Sequence, residues 1–140
     1  MLRRMVGLIV GIFAGALMVA LIEAAGQKIF PPPPGADLKD PAQLRALMSQ
    51  LPVGALVSVV VAWVLGAVAG GQIAMGIARD PRVSLAVGFF LTVMGAMTMS
   101  SFPHPIWMWI AGLLLPVPSA WLGARLSLGA PPAPPASAST

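Results

Sequence analysis

Four long stretches of the chain consist almost entirely of apolar residues, and polar or proline-rich segments separate them. Each stretch is close to the roughly 17–25 residues that a helix needs to cross the hydrocarbon core of a membrane. We therefore predict an all-α polytopic membrane protein, in which residues 1–127 form a bundle of four transmembrane helices. The predicted spans cover residues 5–25, 53–78, 83–100 and 106–126.

The second and third spans are joined by a very short turn, Arg79 to Arg82. Asp80 can accept hydrogen bonds from the first N–H groups of the third helix, and Pro81 suits its first turn. So short a connection predicts that these two helices are antiparallel neighbours.

The connection after the first span is longer, covers residues 26–52, and has a helix signal of its own. The prolines at 31–34 stop a helix and favour an extended segment. Asp40 and Pro41 then repeat the capping pattern, and leucine and methionine side chains follow at helical spacing. We predict a short amphipathic helix at residues 41–50 that lies on the membrane surface.

The composition agrees with a membrane environment. Hydrophobic residues make up 58% of the chain and charged residues 9%, whereas about a quarter of the residues of soluble domains are charged. The exception is the segment 128–140, whose prolines, alanines and serines cannot form a core, so we expect it to be disordered. The chain has no cysteine, which excludes disulfides and thiolate metal sites.

Basic residues are distributed unevenly between the two sides of the predicted bundle. The side that holds both termini has more of them, so the positive-inside rule places both termini in the cytoplasm. Trp107 and Trp109 then lie at the opposite, outer interface. The basic residues occur singly or in pairs rather than in one stripe, and we expect no nucleic-acid partner. Those on the side of the termini are Arg3, Arg4, Arg79, Arg82 and Arg125, and those on the other side are Lys28, Lys39 and Arg45.

Small residues recur at intervals of four in all four spans. Because lipid provides no hydrophobic drive for helix association, close backbone approach at small residues supplies the packing contact. These rows could form a seam between two copies or pack within one chain, and we favour the second because each span needs neighbours. The glycines that we assign to helix packing are Gly7, Gly11, Gly15, Gly66, Gly70 and Gly88.

Pro116 and Pro118 interrupt the fourth span. Each lacks the N–H group that would bond the carbonyl one turn earlier, at Gly112 and Leu114, so we predict a bend. A static bend and a gating hinge would use the same residues. We favour the static bend, because Gly112 leaves room for the proline ring.

Glu23, Gln27 and His104 are the candidate polar site. Glu23 is an acid at the outer end of the first span, and Gln27 lies one turn further along the same helix face. His104 falls at the same end of the bundle. A carboxylate and an imidazole suit a proton relay, and the alternatives are an interfacial carboxylate and a histidine that fixes its loop. Two such residues do not complete a metal site, and we predict no metal and no cofactor.

Three segments of the sequence carry a resemblance to known proteins: residues 23–37 (EAAGQKIFPPPPGAD), 65–71 (LGAVAGG) and 103–109 (PHPIWMW). They resemble a family of small bacterial membrane proteins of unassigned function. The resemblance covers nearly everything before the tail, and it implies the four-helix architecture and a bacterial inner-membrane location. Its members often carry a histidine where this chain has Gln27, so the resemblance implies no shared metal or proton site.

Two functions fit these features. The excess of packing residues over reactive ones favours a non-enzymatic protein that acts through protein or lipid contacts. The alternative is a small transporter or channel that uses Glu23 near the outer interface, with His104 as a gate or relay. An enzyme ranks third, because no nucleophile–base pair or pair of carboxylates shares a helix face. The expected partner is the lipid bilayer, and a second copy of the chain or another membrane protein remains open.

Overall fold

Five α-helices make up almost all of the computed structural model, which describes residues 1–31, 40, 42, 46–47, 50–101 and 104–128. The helices are α1 (Leu2–Ile29), α2 (Val53–Ala78), α3 (Pro81–Ser101), α4 (Ile106–Leu114) and α5 (Pro116–Leu128). Within the described residues there is no strand. Four segments are long and apolar enough to cross a membrane, and α4 and α5 together form the fourth. The predicted all-α bundle of four spans is therefore confirmed.

The helix α1 is longer than the predicted span at 5–25. It begins at Leu2, so it includes Arg3 and Arg4, and it ends at Ile29. The N–H group of Phe30 donates to the carbonyl oxygen of Gly26 at 2.8 Å and completes the last turn. Polar side chains at both ends are compatible with a helix, and the first residue that cannot continue it is Pro31.

The turn between α2 and α3 has the predicted cap. Asp80 Oδ1 accepts a hydrogen bond from the N–H group of Arg82 at 3.0 Å, and Pro81 is the first residue of α3. Arg79 has a left-handed backbone, with φ of 54°, and its N–H group bonds the carbonyl oxygen of Met75. Asp80 Oδ2 also pairs with Arg4 at 3.0 Å, which ties the first turn of α1 to this end of the bundle.

Most of the predicted surface helix at 41–50 lies outside the described residues. Ala42, Ala46, Leu47 and Gln50 are helical, and the N–H group of Ala42 donates to Asp40 Oδ1 at 2.9 Å. The prolines at 32–34 and the tail from residue 129 also lie outside the described part. The helix α5 includes Leu128, which we had assigned to the tail.

Antiparallel packing of α1 against α2 is built on facing small residues. A Cβ atom on Gly11 would lie 2.8 Å from the carbonyl oxygen of Gly70, and one on Gly15 would lie 2.9 Å from that of Gly66. Gly7 sits in the same way against the backbone of α2 near Ala78. Real Cβ atoms essentially never approach so closely, so these backbones touch because side chains are missing.

The helix α2 lies at the centre of the bundle, since α1, α3 and α5 all pack against it. Gly71 and Gly123 bring α2 and α5 into backbone contact, and Gly88 faces the backbone of α5 near Val117. Ser84 in α3 donates its hydroxyl proton to the carbonyl oxygen of Gly71 at 2.8 Å, and the oxygen atoms of this bond are buried. All six glycines that we assigned to helix packing therefore lie in contacts within the chain. Two further contacts that we did not predict are those of Gly71 with Ala120 and of Gly123 with Val68.

The fourth span is interrupted at Leu115, immediately before Pro116. Leu115 still donates its N–H group to the carbonyl oxygen of Ala111 at 2.9 Å, and Ser119 donates to Leu115 at 3.0 Å. Proline has no N–H group with which to continue the ladder, so the helix divides into α4 and α5 at the predicted place.

The helices α1 and α3 run in the same direction and touch mainly in the half of the bundle that holds the N-terminus. Leu8 and Ile12 pack there against the buried side chains of Val83 and Val87, and Leu91 packs against the same group. On either side of this contact the two helices leave an opening between them, one toward each end of the bundle.

Candidate functional site

One opening between α1 and α3 is a cavity of about 290 Å³ in the half of the bundle that contains the end of α1. We call it the lateral cavity. Its walls are mostly apolar, and exposed Phe90 and Met94 lie at its α3 side. The residues that line it are Ala16, Val19, Ala20, Glu23, Trp63, Phe90, Leu91, Met94, Gly95, Thr98, Gly112 and Pro116.

A second cavity of about 330 Å³ adjoins the first at the end of the bundle where α1 finishes and α2 begins. We call it the terminal cavity. It holds most of the polar side chains of this region, because Gln27, Ser58 and His104 line it together with Glu23. Its apolar wall is formed by Gly26, Phe30, Leu51, Ala55, Leu56, Val59, Trp63 and Met108, and Thr98 completes it.

Glu23, Trp63 and Thr98 line both cavities and form the wall that the two share. Trp63 lies beside Glu23 in this wall, and its indole N–H can only donate, which suits a carboxylate acceptor. Thr98 donates its hydroxyl proton to the carbonyl oxygen of Met94 at 3.0 Å, so its oxygen can still accept a bond from a ligand. The shared wall therefore holds one carboxyl group together with an indole N–H group and a hydroxyl group.

The local sequence explains why Trp63 reaches this wall. The ring of Trp63 lies against Gly112, where an added Cβ atom would be 2.7 Å from the ring and 2.8 Å from the end of Met99. The absence of a side chain at Gly112, one turn before the break at Leu115, gives the indole its space. The proline-induced break and the candidate site are thus adjacent parts of one structure.

The structure brings the three predicted polar residues to one place. Glu23 and His104 are half-buried, Gln27 is exposed, and all three line the terminal cavity. Sequence reasoning missed Trp63 and Thr98. One signal could have found Trp63, because it is the lone aromatic residue of α2 and lies well inside the span, whereas tryptophan is usually enriched at membrane interfaces.

The charged chemistry of the site is limited. Within the described residues, no group of three or more His, Asp or Glu side chains is placed to hold a metal ion. The methionines of this region differ in exposure, since Met94 is about half exposed, Met97 is exposed, and Met99 and Met108 are fully buried. What the arrangement provides is a long apolar cavity that ends at a small polar cluster, which is the pattern of a site for an amphipathic molecule.

Helix packing closes the lateral cavity at the end that faces the N-terminus of α1. Gly15 lies against Gly66 and the side chain of Leu91, and Gly11 lies against Gly70 and Val87. Val87 has no solvent exposure. The lateral cavity therefore ends at the α1–α3 contact.

Comparisons of the chain with protein-family models, with curated proteins and with solved structures gave no match. The site is therefore interpreted from its own geometry. The resemblance to a family of bacterial membrane proteins stays a prediction.

Proposed function

We propose that this protein is a non-enzymatic integral membrane protein that acts by binding a lipid-like amphipathic molecule between α1 and α3. The observation that carries the proposal is the wall of Glu23, Trp63 and Thr98, which joins an apolar cavity to a polar one. An occupant of both cavities needs an apolar part of several carbons and a polar head. This function is a specific form of action through lipid contacts.

The dimensions of the two cavities support a bound molecule. Their volumes of about 290 and 330 Å³ approach or fall in the range of roughly 300–1,000 Å³ that is typical of small-molecule sites. Exposed Ala16, Ala20 and Met94 line the lateral cavity, so a hydrocarbon chain can enter from the surrounding lipid without crossing water.

The polar cluster indicates which head group would fit. A carboxylate accepts hydrogen bonds and pairs with cations, and the neighbouring Gln27 amide can accept a bond as well. A head group with an ammonium or hydroxyl donor therefore suits this end better than one with methylated nitrogen. We propose an aminolipid of the phosphatidylethanolamine class as the occupant.

Photocrosslinking tests this assignment. Phosphatidylethanolamine with a diazirine in one acyl chain is incorporated with the purified protein into nanodiscs, and the labelled peptides are identified by mass spectrometry. We expect labelling to concentrate on the faces of α1 and α3 that contain Ala16, Ala20 and Met94. Labelling spread evenly over all lipid-facing helices would contradict a site.

A matched pair of variants tests the role of the head group. Glu23→Gln keeps the shape of the side chain and removes its charge, so labelling by the aminolipid should fall while labelling by a phosphatidylcholine analogue stays the same. Gln27→Glu combined with Glu23→Gln moves the carboxyl group one turn along the same helix and should preserve the preference for the aminolipid. If labelling by both lipids fell equally in Glu23→Gln, the result would contradict the proposed contact between Glu23 and the head group.

The second candidate function is transport that uses Glu23. One observation favours it, which is that a carboxyl group within the first span lines a cavity extending toward the middle of the bundle. Intramembrane carboxylates often mark ion or substrate pathways. Proton-coupled flux into proteoliposomes that disappears in Glu23→Gln would support transport, and unchanged flux would rule out that role.

The proposed location is the bacterial inner membrane with both termini in the cytoplasm, so that the two cavities belong to the outer half. The uneven distribution of arginine and lysine supports this orientation. Reporter fusions at Ser139 and Asp37 test it, because a cytoplasmic reporter should be active at the first position and a periplasmic reporter at the second. The reverse result would place the cavities in the inner half.

A further inference from the structure

The second opening between α1 and α3 is a groove of about 230 Å³ at the end of the bundle that holds the N-terminus. We call it the arginine groove. It is separated from the lateral cavity by the close approach of Gly11 in α1 to Val87 in α3. The residues that line the groove are Arg4, Met5, Leu8, Arg82, Val83 and Ala86.

The two basic residues of the groove occupy equivalent places on parallel helices. Arg4 lies in the first turn of α1 and Arg82 in the first turn of α3, so both guanidinium groups belong to the same end of the bundle. The N-terminal ends of both helices add positive potential there. Apolar side chains continue from the arginines toward the centre of the bundle.

Asp80 is the acidic residue beside this groove, and its interactions leave positive charge in excess. One of its oxygen atoms accepts the N–H group of Arg82, and the other pairs with Arg4 at 3.0 Å. The side chain of Arg4 is nevertheless 66% exposed, so its guanidinium group has donors to spare. The groove thus has an apolar lining, and the residues at its end of the bundle carry a net positive charge.

We propose that the arginine groove binds an anionic phospholipid. Its phosphate would lie at Arg4 and Arg82, which recognise phosphate oxygens with planar donor groups. One acyl chain would follow Met5, Leu8, Val83 and Ala86 between the two helices. Charge complementarity selects the anionic head group, and basic pockets between transmembrane helices bind such head groups in other membrane proteins. The site is separate from the proposed aminolipid site in position and in charge preference.

Native mass spectrometry of the full chain in detergent tests the proposal. The protein is titrated with phosphatidylglycerol and with phosphatidylcholine of the same acyl chains, and the bound fraction is measured. We expect phosphatidylglycerol to bind more tightly. Arg82→Gln should weaken its binding about fivefold, which corresponds to about 1 kcal/mol for one basic residue near a membrane surface.

Two further variants separate a site from general attraction to positive charge. Arg125→Gln removes an arginine at the same end of the bundle, where its guanidinium group lies 4.5 Å from the centre of the Trp121 ring, and it should leave the affinity unchanged. Ala86→Phe keeps every charge but fills the exposed groove, and it should weaken the binding of phosphatidylglycerol as much as Arg82→Gln does.

The outcomes are decisive in both directions. Selective weakening by Arg82→Gln and Ala86→Phe supports the groove, provided that both variants keep the wild-type circular dichroism and thermal stability. Equal weakening by Arg82→Gln and Arg125→Gln overturns it, because the lipid would then respond only to total charge. The proposal would also be overturned if millimolar inorganic phosphate displaced phosphatidylglycerol while Ala86→Phe bound this lipid as tightly as the wild type. The groove would then recognise a free anion rather than a lipid.

Discussion

Adding a single methyl group at Gly70 should measurably loosen the bundle. A Cβ atom there would lie 2.6 Å from the carbonyl oxygen of Gly11 and 3.0 Å from a methyl group of Val87. The Gly11 oxygen belongs to the backbone of α1, so restoring an ordinary separation of 3.4 Å requires α1 to move by about 0.8 Å. Overpacking of this kind costs about 1–3 kcal/mol.

Gly76 provides a matched control on the same helix, because an added Cβ atom there has no neighbour within 4 Å. Alanine favours a helix over glycine by about 1 kcal/mol, and this gain applies to both positions and cancels in their difference. Gly70→Ala should therefore be less stable than Gly76→Ala by about 2 kcal/mol, within the range of the overpacking cost.

Equilibrium unfolding in mixed micelles of dodecyl maltoside and sodium dodecyl sulfate measures this difference. Tryptophan fluorescence is a suitable signal, because Trp63 packs against Gly112 of another helix. Equal stability of Gly70→Ala and Gly76→Ala would refute the reasoning. It would mean that α1 and α2 are not held in backbone contact at Gly11 and Gly70.

Substitutions at three further positions act near the junction of α2 and α3, and the same unfolding assay measures each. Arg79→Gly should stabilise the protein by up to about 1 kcal/mol, since glycine adopts the left-handed backbone of this residue without a Cβ penalty; a loss of stability would contradict this. Asp80→Ala should lower the stability by about 1–2 kcal/mol, because it removes the cap on the Arg82 N–H group. Asp80→Asn should keep most of the wild-type stability, because its amide oxygen can accept the same bond. Ser84→Ala should cost about 0.6–1.7 kcal/mol, because the hydroxyl bonds the carbonyl of Gly71 across two helices, and no loss would mean that this bond is not formed in the membrane.

The spans and the turn between α2 and α3 could be predicted because their signals are local. Runs of apolar residues set the helices, and Asp80 and Pro81 mark the start of α3 by rules that involve only neighbouring backbone groups. The helix α1 extends beyond the predicted span of 5–25 at both ends and includes charged residues such as Arg4 and Lys28. A helix continues through such residues until its backbone hydrogen bonds are stopped, here next to Pro31.

The candidate site depends on contacts that sequence periodicity does not specify. Glu23 could be selected because a carboxyl group is costly in a membrane, but its neighbour Trp63 is set by the pairing of α1 with α2. That Trp63 also packs on Gly112 depends on where the fourth span breaks. The two openings between α1 and α3 likewise follow from where these helices touch, which depends on the positions of both helices rather than on the pattern of either.

The central claim is that the accessible binding cavity beside Glu23 ends at the contact between α1 and α3. The chain has no cysteine, so single cysteines report on this directly. Thr98 and Val87 are 11 residues apart on α3, about three helical turns, and thus share a face. Thr98 lines both cavities, whereas Val87 lies at the contact between α1 and α3 and has no solvent exposure.

The most direct test is the rate at which a charged methanethiosulfonate reagent modifies Thr98→Cys and Val87→Cys in proteoliposomes. The account predicts rapid modification of Thr98→Cys, slowed by added phosphatidylethanolamine, and no modification of Val87→Cys from either side of the membrane. Modification of Val87→Cys at a comparable rate would contradict it, because a water-accessible path would then pass through the contact between α1 and α3.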